Sequence, residues 1–404
     1  MSAPRTIIVA GAGIGGLTAS LALAAKGFRV INLEKAERLE EAGAGLQLSP
    51  NASRVLIDLG LAGRLAQCAI VPDAVTVMSA RTGRALVRLP LGDAAGARAG
   101  APYWVIHRAD LQAALEAQVK AHPSIDLRLG CRFEDFANDV HGVSIGQRCR
   151  AERNQESALA LIGADGIWST VRGQLFPSTQ PRFSGLIAWR GTVKAKALPQ
   201  RDALAGVQLW MGPDAHLVVY PISGGRLVNL VAIVADDWRR EGWSAPGDAR
   251  DIQRRFAAAG WASAARLLID SVENWKRWAL FAMPDGGVWT AGSTALLGDA
   301  AHGMLPFAAQ GAGMAIEDAA VLAKCLGESH GADASDAALP VAASLQRYAQ
   351  ARSTRVARVQ RLARQNGGIY HLKGPIALAR DLAMQALGGE RLLARQNWIY
   401  DWRA

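Results

Sequence analysis

The feature that most constrains the fold is GAGIGG at residues 11–16, a glycine-rich turn that directly follows the strand-like run TIIVA. In such a turn Gly11 allows a tight bend, Gly13 lets the backbone approach a pyrophosphate, and Gly16 permits close packing of the next helix. The amino terminus of that helix then faces the phosphates. The turn predicts a dinucleotide-binding βαβ unit, with cofactor contacts from Gly11, Gly13, Ile14, Gly15 and Gly16.

The second strand of this unit supports the same prediction. A helical run covers residues 15–26, and an apolar strand at 28–34 ends on Glu34. An acid about 20 residues after the glycines is positioned to accept hydrogen bonds from ribose hydroxyls. Glu34 is therefore predicted to bind the cofactor, although this fingerprint alone does not distinguish NAD from FAD.

The composition indicates a globular protein. With 404 residues, half of them hydrophobic, the chain can form two domains or one large elaborated domain. No stretch approaches the roughly 20 uninterrupted apolar residues of a membrane span. The cysteines show no C-x-x-C pair and no nearby histidine, so we expect neither a disulfide framework nor a metal site, and a reducing, cytoplasmic compartment fits. They are Cys68, Cys131, Cys149 and Cys325.

Much of the net charge of +10 comes from arginine, which recurs at every third position within residues 347–365. Steps of three fall about 60° short of a full helical turn, so these arginines spiral around a helix and are expected to be solvated. The alternative is an electropositive surface that attracts anionic small molecules. Nucleic acid is not favoured as a partner, because aromatic residues do not alternate with the basic ones. The arginines are Arg352, Arg355, Arg358, Arg361 and Arg364.

The order of strand-like and helix-like runs predicts an interrupted domain. Strands dominate residues 73–90 and 182–234, which we expect to form one antiparallel layer, whereas helices and strands alternate elsewhere. The predicted class is α/β, or α+β overall: a Rossmann-like dinucleotide-binding domain interrupted by a β-sheet substrate domain, with helices at the carboxyl terminus. The predicted boundaries are 1–72, 101–180 and 281–360 for the first domain, 73–100 and 181–280 for the second, and 361–404 for the terminal helices.

Two further motifs, LIGADGIWSTVR at 161–172 and ALLGDAAHGMLPFAAQGAGMAIEDA at 295–319, resemble fingerprints of the single-component flavin-dependent aromatic hydroxylases, the family built like para-hydroxybenzoate hydroxylase. The similarity extends through GAGLQLSPNA, YWVIHRADL, AWRG and WIYDWR. It implies that Asp299 binds the ribityl chain of FAD, that Arg108 contacts the cofactor, and that Asp165 serves both FAD and nicotinamide. Gly303 departs from the family, which commonly has proline there.

The segment after Pro306 has a predicted function of its own. Gly311, Ala312 and Gly313 leave backbone N–H groups uncovered at the start of a helix. Such a terminus stabilises negative charge, which reduced flavin carries at N1 and the C2 carbonyl. We therefore expect this turn to face the flavin.

The strand DAHLVVYP at 214–221 places His216 and Tyr220 on one face, with Cα atoms roughly 13 Å apart. Taken alone, both are more often satisfied core residues. Within the family, however, the strand resembles that of the 3-hydroxybenzoate 6-hydroxylases, in which such a histidine and tyrosine and a glutamine corresponding to Gln310 form the active site. The resemblance implies that His216 accepts the substrate proton while Tyr220 and Gln310 orient polar groups.

The predicted function is an FAD-dependent monooxygenase that hydroxylates a phenolic aromatic acid with O₂ and NADH or NADPH, NADH being favoured, through a flavin C4a-hydroperoxide. The chain has no second dinucleotide fingerprint, so nicotinamide is expected to bind transiently. The alternatives are a salicylate or hydroxynicotinate-type hydroxylase, a different flavoprotein oxidoreductase, and a non-catalytic flavin-binding protein. The closing RQNWIYDWRA predicts either a homodimer contact or packing on the protein's own body.

Overall fold

The computed structural model describes residues 5–39, 45–139, 142–198, 205–239, 245–330 and 340–404, so Gly43 and Ala44 of the GAGLQLSPNA motif lie outside the described residues. The strands are β1 (Thr6–Ala10), β2 (Arg29–Glu34), β3 (Gly45–Leu48), β4 (Ala74–Ser79), β5 (Ala85–Pro90), β6 (Trp104–His107), β7 (Ile125–Leu129), β8 (Cys131–Asn138), β9 (Val143–Cys149), β10 (Glu152–Ala158), β11 (Ala160–Gly163), β12 (Arg182–Lys194), β13 (Val207–Gly212), β14 (Ala215–Ile222), β15 (Leu227–Ala235), β16 (Ala245–Gly247), β17 (Trp275–Ala282), β18 (Thr290–Ala291) and β19 (Thr294–Leu296).

The helices are α1 (Ile14–Ala24), α2 (Pro50–Asp58), α3 (Ala62–Leu65), α4 (Gly92–Ala99), α5 (Arg108–Lys120), α6 (Thr170–Leu175), α7 (Ala249–Ala258), α8 (Ser263–Asp270), α9 (Asp299–His302), α10 (Gly311–His330), α11 (Val341–Tyr370), α12 (Gly374–Ala394) and α13 (Asn397–Tyr400). A single 3₁₀ turn at Pro306–Ala308 precedes α10.

The first domain is built on a sheet of order β18-β19-β11-β1-β2-β7, parallel except for β18. Strand β1 is buried along its whole length, as expected for a central parallel strand covered on both faces. Helices α1 and α10 pack on one face through residues such as Leu23 and Leu322. The small sheet β10-β9-β8 contributes Phe133 and Ile145 to the core on the other face. The Rossmann-like fold class predicted from the glycine turn is confirmed.

The second sheet has the order β16-β17-β12-β15-β14-β13-β4-β5. It combines two separate parts of the chain, as predicted, but the seam between them, β4 beside β13, is parallel. One face packs against α7 and α8, where Phe256 and Ile269 meet Leu217 and Val219. The opposite face is turned towards the first domain, because Tyr220 packs against residues of β6. The domain boundaries given above remain a prediction.

The expectation of a fully solvated arginine helix is wrong for α11. Arg352 is 1% exposed and bonds Glu317 at 2.6 Å and Asp318 at 2.7 Å, while Arg355 bonds Glu317 at 2.7 Å. A step of three residues does rotate the arginines around the helix, and this same rotation turns Arg352 towards α10. Arg361 and Arg364 face solvent as predicted.

Two other expectations are decided by chain neighbours that are distant in sequence. Cys131 and Cys149 lie directly opposite one another on β8 and β9 and form a disulfide, contrary to the expectation of unpaired cysteines. Strand pairing brings them together across 18 residues, which their spacing alone does not reveal.

The carboxyl-terminal aromatic segment packs on the protein's own body, since Tyr103 contacts Tyr400 and the Arg352 guanidinium lies over Trp402.

Across the part of the chain that the structure describes, no helix combines the length and apolar character needed to cross a membrane.

Candidate active site

The glycine turn has the geometry of a pyrophosphate cradle. Gly11 has φ +106°, and a Cβ there would lie 2.5 Å from the carbonyl oxygen of Ala164. A Cβ on Gly16 would lie 1.9 Å from the carbonyl oxygen of Gly11, so this helix could not pack so closely with any other residue. Gly13, by contrast, has nothing within 4 Å of its Cβ position, and no side chain caps α1 there. The helix terminus is therefore open to a ligand on this side, which fits a bound dinucleotide.

Glu34 closes the turn from the end of β2. Its two carboxylate oxygens accept hydrogen bonds from the backbone N–H groups of Ala12 and Ala36, each at 2.9 Å. A carboxylate has about four acceptor positions, so these bonds leave capacity for ribose hydroxyls. Glu34 is thus oriented by the turn itself.

We expect Glu34→Ala to weaken FAD binding by roughly 1 to 3 kcal/mol, because a ribose hydroxyl loses its acceptor and the turn loses a brace. Fluorescence titration of the apoprotein with FAD measures the dissociation constant. Glu34→Gln, which keeps one acceptor oxygen, should lose less. An unchanged dissociation constant for Glu34→Ala would show that the carboxylate does not bind the cofactor.

Helix α5, which begins at Arg108, contacts the same turn. Gln112, one helical turn further along, donates from Nε2 to the carbonyl oxygen of Ala12 at 3.3 Å. Residues four apart share a helix face, so Arg108 is on the side of α5 that faces the cofactor turn. Gln112 is buried and its Oε1 has no hydrogen-bond partner, which makes it a further candidate contact that the motifs did not indicate.

Both predicted acidic contacts are associated with short helices. Asp165 Oδ2 accepts from the N–H groups of Thr170 and Val171, whereas its Oδ1 is buried without a hydrogen-bond partner. Burial raises the pKa of Asp165. Asp299 begins α9 and is exposed although both its neighbours, Gly298 and Ala300, are buried. An unpaired acceptor and an exposed carboxylate in an otherwise buried segment fit the polar groups of FAD.

The turn before α10 is linked to the start of α2 by hydrogen bonds of Gln310. Gln310 is 3% exposed; its Oε1 accepts from Asn51 at 3.1 Å and its Nε2 donates to Ser49 Oγ at 2.8 Å. The amide therefore ties this turn to the start of α2 and has one N–H left for another partner. Gly311, the first residue of α10, has nothing within 4 Å of its Cβ position. Ala312 is likewise partly exposed, whereas Gly313 is buried, with Gln310 Oε1 only 3.0 Å from its Cβ position.

On β14, His216 and Tyr220 lie on the sheet face turned towards the first domain. Both are buried, at 2% and 3% exposure, but Val218 between them is partly exposed. Its neighbours across the sheet are also partly exposed: Leu209 pairs with Val218, Val218 with Val231, and Val231 with Arg190. This row, the pocket row, is an accessible apolar strip that ends in a guanidinium and is flanked by the two titratable rings.

The surroundings of His216 are aromatic. Its ring centroid lies 5.2 Å from that of Phe307 and 5.3 Å from that of Tyr370, and its Nδ1 is 2.7 Å from Nε2 of His371. Burial, with a smaller contribution from His371, lowers the pKa of His216 well below the ordinary value for histidine. This lowering favours the neutral ring, and Nε2 can accept a proton in the tautomer whose Nδ1–H donates to His371.

Tyr220 closes the opposite side of the pocket row. A Cβ on Gly45 would lie 2.6 Å from the Tyr220 hydroxyl, so β3 packs directly on this ring. Burial raises the pKa of Tyr220, opposed in part by the charge of Arg190. Asn229, directly across from Tyr220 on β15, is fully buried; its Oδ1 accepts from Gly45 N, and its Nδ2 has no hydrogen-bond partner. Only strand pairing identifies Asn229 as a site residue.

Comparison with known proteins gives concordant matches over nearly the whole chain. Residues 5–363 match the family described as FAD binding domain. A 3-amino-4-hydroxybenzoate 2-monooxygenase of Streptomyces platensis is 38% identical, covering 99% of this chain and 96% of that protein. A 3-hydroxybenzoate 6-hydroxylase of Polaromonas naphthalenivorans is 35% identical, with coverage of 98% and 96%. A salicylate hydroxylase substrate complex superposes with a TM-score of 0.82 at 27% identity, covering 100% and 97% of the two chains.

Proposed function

The chain belongs to the FAD binding domain family and is an FAD-dependent aromatic monooxygenase, and from this premise we propose that it hydroxylates a phenolic aromatic acid of the hydroxybenzoate type. Membership confirms FAD as the cofactor and confirms the family resemblance. The non-catalytic alternative is therefore not retained.

The pocket row is the observation that carries the substrate proposal. It is an apolar surface between His216 and Tyr220, and it ends at Arg190, whose guanidinium lies 5.0 Å over the ring of Trp278. A benzene ring matches the apolar row, a phenolic hydroxyl matches His216, and an anionic substituent matches the end that holds Arg190. This complementarity supports a small aromatic acid with a hydroxyl group.

The proposed chemistry assigns a separate task to each group. Bound FAD, once reduced, supplies an electrophilic oxygen atom derived from O₂. His216 accepts the phenol proton at Nε2, because a phenolate ring is far more electron-rich than a phenol with a pKa near 10. Tyr220 donates a hydrogen bond to the substrate's polar end, and Gln310 orients the ring with its remaining N–H. The aromatic side chains around His216 exclude water from the reacting pair.

The reductant is proposed to be NADH, bound transiently. The chain contains one glycine fingerprint and no second one, so no separate dinucleotide domain holds the nicotinamide. Asp165, with a buried unpaired oxygen, serves FAD and the approaching nicotinamide. Parallel assays with NADH and NADPH test the choice.

We expect NADH oxidation by the FAD-loaded enzyme to be slow alone and to accelerate when the correct aromatic acid binds. A panel should include 3-hydroxybenzoate, salicylate, 6-hydroxynicotinate and 3-amino-4-hydroxybenzoate; the last is a second candidate because relatives at 38% identity carry that name. Product identity under ¹⁸O₂ distinguishes ring hydroxylation from other flavoprotein chemistry. Equal rates with and without every hydroxylated acid would contradict the proposed substrate class.

A further inference from the structure

The buried pair formed by His216 and His371 is not explained by the proposed chemistry, which needs only one of the two rings. The nitrogens Nδ1 of His216 and Nε2 of His371 lie 2.7 Å apart, and the ring centroids are 5.0 Å apart. His216 is 2% exposed, whereas His371, just beyond the end of α11, is partly exposed. The pair therefore leads from the buried His216, beside the pocket row, to the protein surface.

Several contacts of the neighbouring residues fix the position of His371. Tyr370, its neighbour, donates from its hydroxyl to the carbonyl oxygen of Phe307 at 3.2 Å, and Asn366 donates to the same oxygen at 3.0 Å. A Cβ on Gly367 would lie 2.6 Å from the Phe307 ring. The end of α11 thus packs tightly on the turn that precedes α10, and this contact sets His371 beside His216.

We propose that His371 is a proton relay that carries the substrate's phenolic proton from His216 to solvent. This inference rests on the proposed function of His216. It makes His371 a relay residue that acts through His216.

The relay requires one particular tautomer of each ring. For His216 to accept at Nε2, its own proton must be on Nδ1, donated to Nε2 of His371, whose proton is then on Nδ1. When the phenol gives its proton to His216 Nε2, the Nδ1 proton passes to His371 Nε2. His371 then releases its Nδ1 proton to water. One proton has left the substrate, one has reached solvent, and both rings are neutral again.

The environment of the pair favours transfer over storage of the proton. Burial lowers the pKa of both histidines, which means that it disfavours the positively charged form of each ring. Beside His371, Asp214 and Lys373 form an exposed ion pair at 3.0 Å. Asp214 also donates its backbone N–H to the carbonyl oxygen of His371, and its carboxylate opposes the lowering of the His371 pKa. The proton therefore emerges beside an anion.

Proton release on substrate binding tests the relay directly. FAD-loaded enzyme is mixed with 3-hydroxybenzoate in weakly buffered solution, and a pH indicator dye reports the rate of proton release. We expect wild type to release protons in a fast phase that His371→Gln slows at least about tenfold, since glutamine keeps a hydrogen bond to His216 but cannot pass a proton on. His371→Ala should be equally slow and should recover with added imidazole. His122→Gln, which removes a histidine at a distant turn, should release protons as wild type does.

The outcomes are distinguishable from those of the proposed function. If no phenolic acid stimulates NADH oxidation by wild type, the proposed function fails and the relay fails with it. If wild type hydroxylates but releases no proton on binding, or if His371→Gln releases protons as fast as wild type, the relay alone is wrong. Loss of the fast phase in His371→Ala without any rescue by imidazole would reduce His371 to a packing residue. Flavin absorbance spectra of each variant verify that the protein is folded and loaded.

Discussion

His216→Ala should retain NADH oxidation but lose most of its hydroxylated product. Hydride transfer to FAD requires nothing from β14, whereas oxygen transfer requires an activated ring. Removing the proton acceptor should slow hydroxylation by about 10² or more, and the reducing equivalents should then appear as hydrogen peroxide. The quantity to measure is product formed per NADH oxidised, together with peroxide, while substrate is bound.

The matched comparison is Tyr220→Phe, which keeps the buried ring and removes only a hydroxyl. It should raise KM and reduce coupling less than His216→Ala does. Flavin spectra control for folding, because His216 is also a packed residue against Phe307. If His216→Ala converts substrate with wild-type coupling, His216 is a core residue and is not the proton acceptor.

Arg352→Met should lower the free energy of unfolding by about 3 to 5 kcal/mol, since it leaves buried carboxylates without their principal cation. Arg352 on α11 bonds both Glu317 and Asp318 on α10. All three side chains are nearly or fully buried. Urea denaturation of the FAD-loaded protein measures the loss. The control is Arg364→Met on the same helix, where an exposed pair with Asp285 is broken; it should cost less than about 1 kcal/mol. Equal losses in the two variants would show that the buried cluster does not stabilise the fold.

The same cluster predicts a dependence of stability on pH. Burial by itself would raise the pKa of Asp318, but the neighbouring His302 and Arg352 outweigh it and lower the pKa from 3.8 to about 2. A carboxylate with a lowered pKa contributes stability that is present above its unfolded value and is lost as pH falls through its folded value. Wild type should therefore lose stability between about pH 4 and pH 2, and Asp318→Asn should lose less over the same interval. Parallel slopes for the two proteins would contradict this assignment.

The sequence alone was sufficient where local chemistry decides the structure. A strand, a glycine turn and a helix form a cradle because only glycine tolerates the φ of +106° at Gly11 and the 1.9 Å approach at Gly16. These constraints act within a few residues of one another, so the turn, Glu34 and the Rossmann-like class could be predicted. The family motifs extended the prediction to FAD and to aromatic hydroxylation. The alternation of β14 likewise placed His216 and Tyr220 on one face.

Tertiary structure decided everything that depends on which distant segments meet. The pairing of β14 with β15 brings Asn229 opposite Tyr220, and the packing of α11 on the turn before α10 brings His371 to His216. The disulfide of β8 and β9 and the burial of Arg352 have the same origin. Spacing along the chain specifies which face of an element a side chain occupies, but not which element that face will meet. The geometry of the glycine turn was therefore determined by the sequence itself, whereas the partners of His216, the proposed proton acceptor, were determined only by the packing of the folded chain.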